Sequence, residues 1–224
     1  MPLGRHGSPP HARFRKQALA FSYYITSRAL WGAGSAAFIA LEKKIRDAMA
    51  AQVDYVQVRE KDLPARHLLR LVEDCLRGKP ETGRTRLLVN SRADVAVAAQ
   101  ADGVHFSFAS VPLAEIRNRL PAPQTIGVSC HNEREAEEAG KAEVDYLLLG
   151  PVFATPSKPD VVPLGTERFH RICRSASLPV FALGGVDRSN ASDCVAAGAK
   201  GIAGIRLFQN EPDLHQLVEW ISRL

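Results

Sequence analysis

The amino-acid sequence predicts an α/β protein of the (β/α)8, or TIM, barrel class, and three observations lead to that prediction. Short apolar runs alternate with longer segments of helical spacing, which is typical of a parallel sheet. The alternation repeats eight times and leaves no segment for a second domain. The 224 residues are close to the size of one such barrel. An open parallel sheet is the alternative, and the lack of a G-x-G-x-x-G motif after the first strand argues against its dinucleotide-binding form.

Each element is predicted from its local pattern. Short apolar runs predict strands at 23–26, 53–58, 86–89, 103–105, 125–129, 144–149, 179–183 and 201–205. Apolar residues at helical spacing predict helices at 36–51, 64–77, 92–100, 112–120, 133–141, 166–175, 189–197 and 212–224. Pro64 suits the first turn of its helix. Residues 1–20 are expected to form a flexible basic N-terminal tail, and 21–224 a single barrel domain.

The distribution of charge disfavours a nucleic-acid-binding protein. The net charge is +5, and the first acidic residue is Glu42. Five basic residues precede it and account for the whole excess, so the folded body is nearly neutral: Arg5, Arg13, Arg15, Lys16 and Arg28. Four widely spaced cysteines predict reduced thiols and a cytoplasmic protein. No apolar run reaches the length of a membrane span, and no secretory signal is recognisable, so no membrane partner is expected.

The loops after strands seven and eight predict a phosphate site. Active sites of these barrels lie at the C-terminal ends of the strands, and phosphate often binds after strands seven and eight. Gly184 and Gly185 follow strand seven, and Ile205 and Arg206 end strand eight. A glycine pair lets the backbone approach an anion closely. The alternative is a plain tight turn.

Polar residues also end strands two and three. Gln57, Arg59 and Lys61 share a face by the two-residue period of a strand, and two cations with an amide suit a phosphate or pyrophosphate. The alternative is a solvated charge run paired through Glu60. Asn90 ends strand three, where it either contacts a polar ring or caps the following helix.

Two histidines and one long loop complete the candidates. His105 and His131 end strands four and five, where proton transfer near neutral pH is possible, although a lone histidine is more often structural. Neither has an acidic or cysteine neighbour at metal-ligand spacing, so no metal site is predicted. Residues 150–165 form a long polar loop in which Thr155, Ser157 and Lys158 could close over an anion. The alternative is a disordered polar loop.

Taken together, these segments resemble the superfamily of thiamine-phosphate synthases and bacterial thiazole tautomerases. The resemblance covers about 23–208 and is carried by 24–26, 57–61, 89–90, 101–105, 126–131, 145–153 and 182–186. For a synthase it implies that one set of residues holds an aminopyrimidine pyrophosphate: Gln57, Arg59, Lys61, Asn90, Ser129 and Lys158. A second set would hold a thiazole phosphate: Thr155, Ser157, Gly185, Ile205 and Arg206. It also implies that Mg2+ shares the charge of the leaving pyrophosphate.

The chain departs from the synthase pattern on the metal side. Synthases carry an Asp after the strand-three Asn and another in a Gly-Gln-Glu-Asp stretch after the strand-four His. This chain has Ser91 at the first place and 107–110, Ser-Phe-Ala-Ser, at the second. Serine is a poor Mg2+ ligand compared with Asp. Arg206 also replaces a small hydroxyl residue, where it either adds a contact or blocks the pocket.

The sequence therefore favours a metal-independent thiazole tautomerase-like enzyme without a cofactor. His131 matches the tautomerase acid/base, and Gly184, Gly185 and Arg206 would bind the phosphate. The first alternative is a thiamine-phosphate synthase, with Mg2+ carried on the pyrophosphate. The second is a non-catalytic barrel that binds phosphate ligands. The sequence leaves open whether the protein forms a homo-oligomer.

Overall fold

The computed structural model describes residues 20–110, 112–120 and 124–224. All paired strands are parallel and close in the order β1 to β8, which confirms the predicted (β/α)8 barrel. The strands are β1 Phe21–Ile25, β2 Tyr55–Val58, β3 Arg86–Asn90, β4 Gly103–Ser107, β5 Thr125–Cys130, β6 Tyr146–Leu149, β7 Val180–Leu183 and β8 Gly201–Gly204. The expected N-terminal tail lies outside the described residues, apart from Ala20, which is buried in the hydrophobic core.

The helices follow the strands in sequence and cover the barrel. They are α1 Ser35–Ala50, α2 Ala65–Arg77, α3 Ala93–Ala98, α4 Leu113–Arg119, α5 Glu133–Gly140, α6 Gly165–Ser175, α7 Ala191–Ala196, α8 Arg206–Gln209 and α9 Leu214–Ser222. None of the described helices is long and apolar enough to cross a membrane.

The C-terminal part differs from the prediction at two points. The short helix α8 follows β8 directly, where a loop was expected. Four residues are too few for helical periodicity to be visible in a sequence. The last helix begins after Asp213, whose side chain accepts a hydrogen bond from the Gln216 amide at 3.0 Å, rather than at Pro212.

Alternate residues of the strands face inward and fill the barrel. Tyr23, Tyr55, Tyr146 and Phe181 form an aromatic layer with ring centroids 5.4 to 5.7 Å apart. Their neighbours along the strands, such as Val56, pack outward against the helices. Because this layer fills the interior, a ligand cavity has room only above it, at an end of the barrel.

Candidate functional site

A cavity of about 690 Å³ opens at the C-terminal ends of the strands. The structure brings to its walls His105 and the thirteen residues predicted to bind substrate or transfer a proton. The thirteen are Gln57, Arg59, Lys61, Asn90, Ser129, His131, Thr155, Ser157, Lys158, Gly184, Gly185, Ile205 and Arg206. The barrel topology explains this convergence, because the C-terminal ends of parallel strands meet at one rim.

The glycine pair after β7 is required by two features of the backbone. Gly184 and Gly185 have φ angles of 92° and 68°, in the left-handed region that favours glycine. A Cβ on Gly184 would lie 2.7 Å from the Pro151 Cα, and one on Gly185 would lie 2.5 Å from the Ala154 carbonyl oxygen. The pair therefore also allows the loop after β6 to pack against the loop after β7.

The cations at the end of β2 are not neutralised by the glutamate between them. Glu60 is buried and turns away, where it accepts hydrogen bonds from Thr26 Oγ1 at 2.6 Å and from the Arg28 amide at 3.0 Å. Burial raises the pKa of this carboxyl. Within the part of the chain that the structure describes, no ion pair involves Arg59 or Lys61. The alternative interpretation of residues 57–61, a solvated charge run paired through Glu60, is therefore wrong.

Two amide side chains form the polar wall beside these cations. Gln57 Nε2 donates to Asn90 Oδ1 at 3.1 Å, and Asn90 Nδ2 donates to Ser91 Oγ at 3.1 Å. Asn90 does not cap the next helix, because Arg92 holds the N-cap position of α3. Gln57 Oε1 is buried and has no hydrogen-bond donor among the described residues. This oxygen can therefore accept a hydrogen bond from a ligand.

His131 lies between a glutamate and a lysine at the cavity mouth. Glu135 Oε2 accepts from the His131 amide at 2.8 Å and lies 3.1 Å from His131 Nδ1. On the other side of the ring, Nε2 lies 2.8 Å from Lys158 Nζ. Since an ammonium group only donates, Nε2 accepts that hydrogen bond and Nδ1 donates to Glu135. Glu135 was missed in the sequence, although its i,i+4 spacing from His131 on a helix start was a usable signal.

The loop after β6 brings a third cation to the cavity. Lys158 faces Arg59 and Lys61, and its pKa is lowered by burial and by these two positive charges. Across the same mouth, Arg206 Nη1 lies 3.3 Å from Ser157 Oγ, so Arg206 contacts the loop instead of filling the cavity. The cavity is therefore cationic on two sides.

His105 lies deeper than the sequence suggested. It is buried on β4, with Nδ1 3.1 Å from Tyr146 Oη and Nε2 2.8 Å from Ser129 Oγ. Burial lowers its pKa to about 3, with a smaller contribution from Arg59, so the ring is neutral at physiological pH. It lines the floor of the cavity, where its Nε2 is paired with Ser129 Oγ.

The residues present do not fit a resident Mg2+ ion. Ser91 Oγ accepts from Asn90, and Ser110 Oγ donates to the Ser107 carbonyl at 2.8 Å. Asp187 is the one carboxylate among the described residues lining the cavity, and it accepts hydrogen bonds from Ser189. The described residues contain no group of three histidine, cysteine or acidic side chains able to hold a metal. Proteins usually bind Mg2+ through one or two carboxylates, and the described wall supplies only Asp187, whose carboxylate is taken up by Ser189.

Comparisons with known proteins support the family resemblance seen in the sequence. A family model described as thiamine monophosphate synthase matches residues 23–208. A thiamine-phosphate synthase of Chloroflexus aurantiacus is 41% identical over 162 residues, which are 71% of this chain and 73% of that protein. One of a Roseiflexus species is 36% identical over 175 residues, 78% of this chain and 74% of that protein.

Solved structures extend the likeness to the fold. Thiamine phosphate pyrophosphorylase from Pyrococcus furiosus superposes with a TM-score of 0.77 at 28% identity, covering 92% of this chain and 96% of that chain. An archaeal geranylgeranylglyceryl phosphate synthase, at 13% identity and a TM-score of 0.66, shares the barrel fold alone. The chain belongs to the thiamine monophosphate synthase family, an enzyme family of thiamine biosynthesis.

Proposed function

We propose that this protein is a thiamine-phosphate synthase, which joins an aminopyrimidine pyrophosphate to a thiazole phosphate and releases pyrophosphate. One observation carries the proposal: one cavity has two sides whose residues suit an anion. Arg59, Lys61 and Lys158 form one side. The glycine pair and Arg206 form the other side.

The three cations favour a ligand with several negative charges. Like charges that face each other in a partly buried site repel, and Arg59 and Lys61 add to the effect of burial, the main cause of the lowered pKa of Lys158. A pyrophosphate would relieve it through charge-assisted hydrogen bonds to all three side chains. A single carboxylate would leave most of the positive charge uncompensated. These three cations therefore support a synthase over the tautomerase that the sequence favoured.

The proposed reaction requires stabilisation of a leaving group more than proton transfer. The bond between the pyrimidine CH2 carbon and the pyrophosphate oxygen breaks, and the oxygen keeps the electron pair. The thiazole nitrogen then donates its lone pair to that carbon. Preorganised positive charge at the departing oxygen lowers the barrier to this step. No step is assigned to a metal, because the cavity wall does not fit one.

A thiazole tautomerase is the second candidate, and the position of His131 favours it. A histidine whose Nδ1 donates to Glu135 can act as a base through Nε2. That atom is within hydrogen-bond distance of Lys158, so the lysine would first have to move away. A non-catalytic phosphate-binding barrel is the remaining alternative.

Two turnover assays on one preparation test the proposal. Purified protein is supplied with both synthase substrates, and separately with the thiazole carboxylate phosphate tautomer. We expect thiamine phosphate to form, and Lys158→Ala to reduce kcat/KM by about a hundredfold, the scale of a charged hydrogen bond in a transition state. Lys141→Ala is the matched control, because Lys141 is exposed directly after α5 and pairs with Glu137.

The outcomes separate the three functions. Aromatisation of the thiazole without thiamine phosphate would establish the tautomerase, and ligand binding without turnover would establish the non-catalytic barrel. An unchanged rate in Lys158→Ala would remove the pyrophosphate role from that residue. We also propose that the barrel from residue 21 onward is one domain acting in the cytoplasm, which limited proteolysis and cell fractionation test.

A further inference from the structure

A chain of four hydrogen-bonded side chains runs from the barrel interior to the cavity. Tyr23 Oη lies 2.8 Å from Tyr146 Oη, and Tyr146 Oη lies 3.1 Å from His105 Nδ1. His105 Nε2 lies 2.8 Å from Ser129 Oγ. Both tyrosines and the histidine are buried, whereas Ser129 is half-buried; His105 and Ser129 line the cavity. Ser129 is therefore the most exposed member of this hydrogen-bonded series and its end at the cavity.

The wall of the barrel leaves space for this chain at Gly127. A Cβ on Gly127, in the middle of β5, would lie 2.2 Å from Tyr146 Oη and 2.6 Å from His105 Nδ1. Glycine weakens the interior of a strand and often marks a close approach of other groups. The groups that approach here are the two partners of the Tyr146–His105 hydrogen bond. The strand thus lacks a side chain where that bond passes.

Only one direction of donation satisfies every proton in the chain. His105 is neutral, so one ring nitrogen carries a proton and the other accepts. A proton on Nδ1 would be donated to Tyr146, and one of the two tyrosine hydroxyl protons would then have no acceptor among the described residues. A buried donor without an acceptor is costly.

The opposite direction leaves no such donor. Tyr23 donates to Tyr146, Tyr146 donates to His105 Nδ1, and the protonated Nε2 donates to Ser129 Oγ. Since Ser129 Oγ accepts at this position, its own proton is free to point into the cavity.

We propose that Tyr23, Tyr146 and His105 are positioning residues that fix Ser129 as a hydrogen-bond donor to the ligand. The ligand atom opposite Ser129 is then an acceptor, a ring nitrogen or an anionic oxygen, and an amine is disfavoured there. The inference rests on the proposed function for the identity of the ligand. The direction of the hydrogen-bond chain is independent of it.

The first test measures the tautomer of His105 without any substrate. Long-range proton–nitrogen NMR spectra of the 15N-labelled protein distinguish a protonated Nε2 from a protonated Nδ1. We expect a protonated Nε2 and an unprotonated Nδ1. A protonated Nδ1 would overturn the inference, whether or not the protein makes thiamine phosphate.

The second test asks whether Tyr146 acts through Ser129. Tyr146→Phe removes the donor to Nδ1, and we expect kcat/KM of the synthase reaction to fall about tenfold, the value of one hydrogen bond. Tyr55→Phe is the matched control. Tyr55 belongs to the same aromatic layer but is not part of the hydrogen-bonded series that ends at Ser129. We expect it to change kcat/KM by less than about twofold.

A double-mutant cycle separates positioning from packing. In a Ser129→Ala background, Tyr146→Phe is expected to cost nothing further, since the donor that it orients is gone. An equal loss in both backgrounds would show that Tyr146 serves only packing and would overturn the inference. Absence of turnover in the unaltered protein and in every variant would refute the proposed function. The tautomer of His105 would still test the direction of the hydrogen bonds that end at Ser129.

Discussion

Acidification is expected to destabilise the folded protein through the burial of His105. The pKa of this imidazole is about 3 in the folded protein and 6.5 as an ordinary histidine. Between these values the unfolded chain binds a proton that the folded protein does not bind. Because the unfolded state then binds more protons, stability falls as the pH falls, by up to about 1.4 kcal/mol per pH unit.

The two pKa values of His105 give the loss of folding stability for a pH change from about 7 to about 5. At the upper pH the ordinary imidazole is mostly neutral, and at the lower pH it is almost fully protonated. The linkage relation with the two pKa values gives a loss of about 2 kcal/mol over this range. Glu60 acts in the opposite direction, because its raised pKa lets the folded protein take up a proton first.

The assay compares urea unfolding of the natural chain with that of His105→Gln at about pH 7, 6 and 5. The variant keeps Glu60 and the other titrating groups, so the difference between the two pH dependences isolates His105. We expect the natural chain to lose about 2 kcal/mol more than the variant. Equal pH dependences would refute a buried neutral His105, as would an NMR titration of this ring near its ordinary pKa.

Three further predictions concern the wall and mouth of the cavity. Gly127→Ala would place a Cβ 2.0 Å from Tyr146 Cζ and is expected to lower the free energy of unfolding by about 2–4 kcal/mol. Gly78→Ala, with contacts no closer than 3.6 Å, should change it by less than about 1 kcal/mol in the same urea melts. Glu135→Ala removes the acceptor of the His131 Nδ1 proton, so the ring no longer holds Lys158, and we expect calorimetric binding of inorganic pyrophosphate to weaken about tenfold; the exposed Glu138→Ala should have no effect. Pyrophosphate should also bind in the presence of EDTA, and binding restored only by Mg2+ would contradict an anion site made of cations alone.

Much of the site could be predicted because a β/α barrel places its functional side chains at the C-terminal ends of its strands. Residues at the ends of strands, such as Gln57, Asn90 and Ser129, converge in any closed parallel barrel. The glycine pair could be placed in the same way, and its left-handed φ angles give the reason for its composition. The family resemblance then supplied candidate ligands, and the family model confirms the family.

Partners on other elements could not be predicted, because sequence distance hides them. Glu60 looked like the counter-ion of Arg59 and instead binds Thr26, 34 residues away. His131 looked like a free base, although a lysine 27 residues later lies against its Nε2. These pairings depend on which way each side chain turns at the rim, and strand alternation alone does not determine that direction.

The sequence by itself determined the fold, the family and the rim residues, because eight repeats of one pattern allow few topologies. Only the tertiary structure decided the balance of charge in the cavity and the direction of hydrogen bonding beneath it. Both depend on contacts between strands far apart in sequence, such as Tyr23 with Tyr146, which are 123 residues apart. The barrel brings such groups together in a buried interior, where a hydroxyl or ring proton without an acceptor is costly.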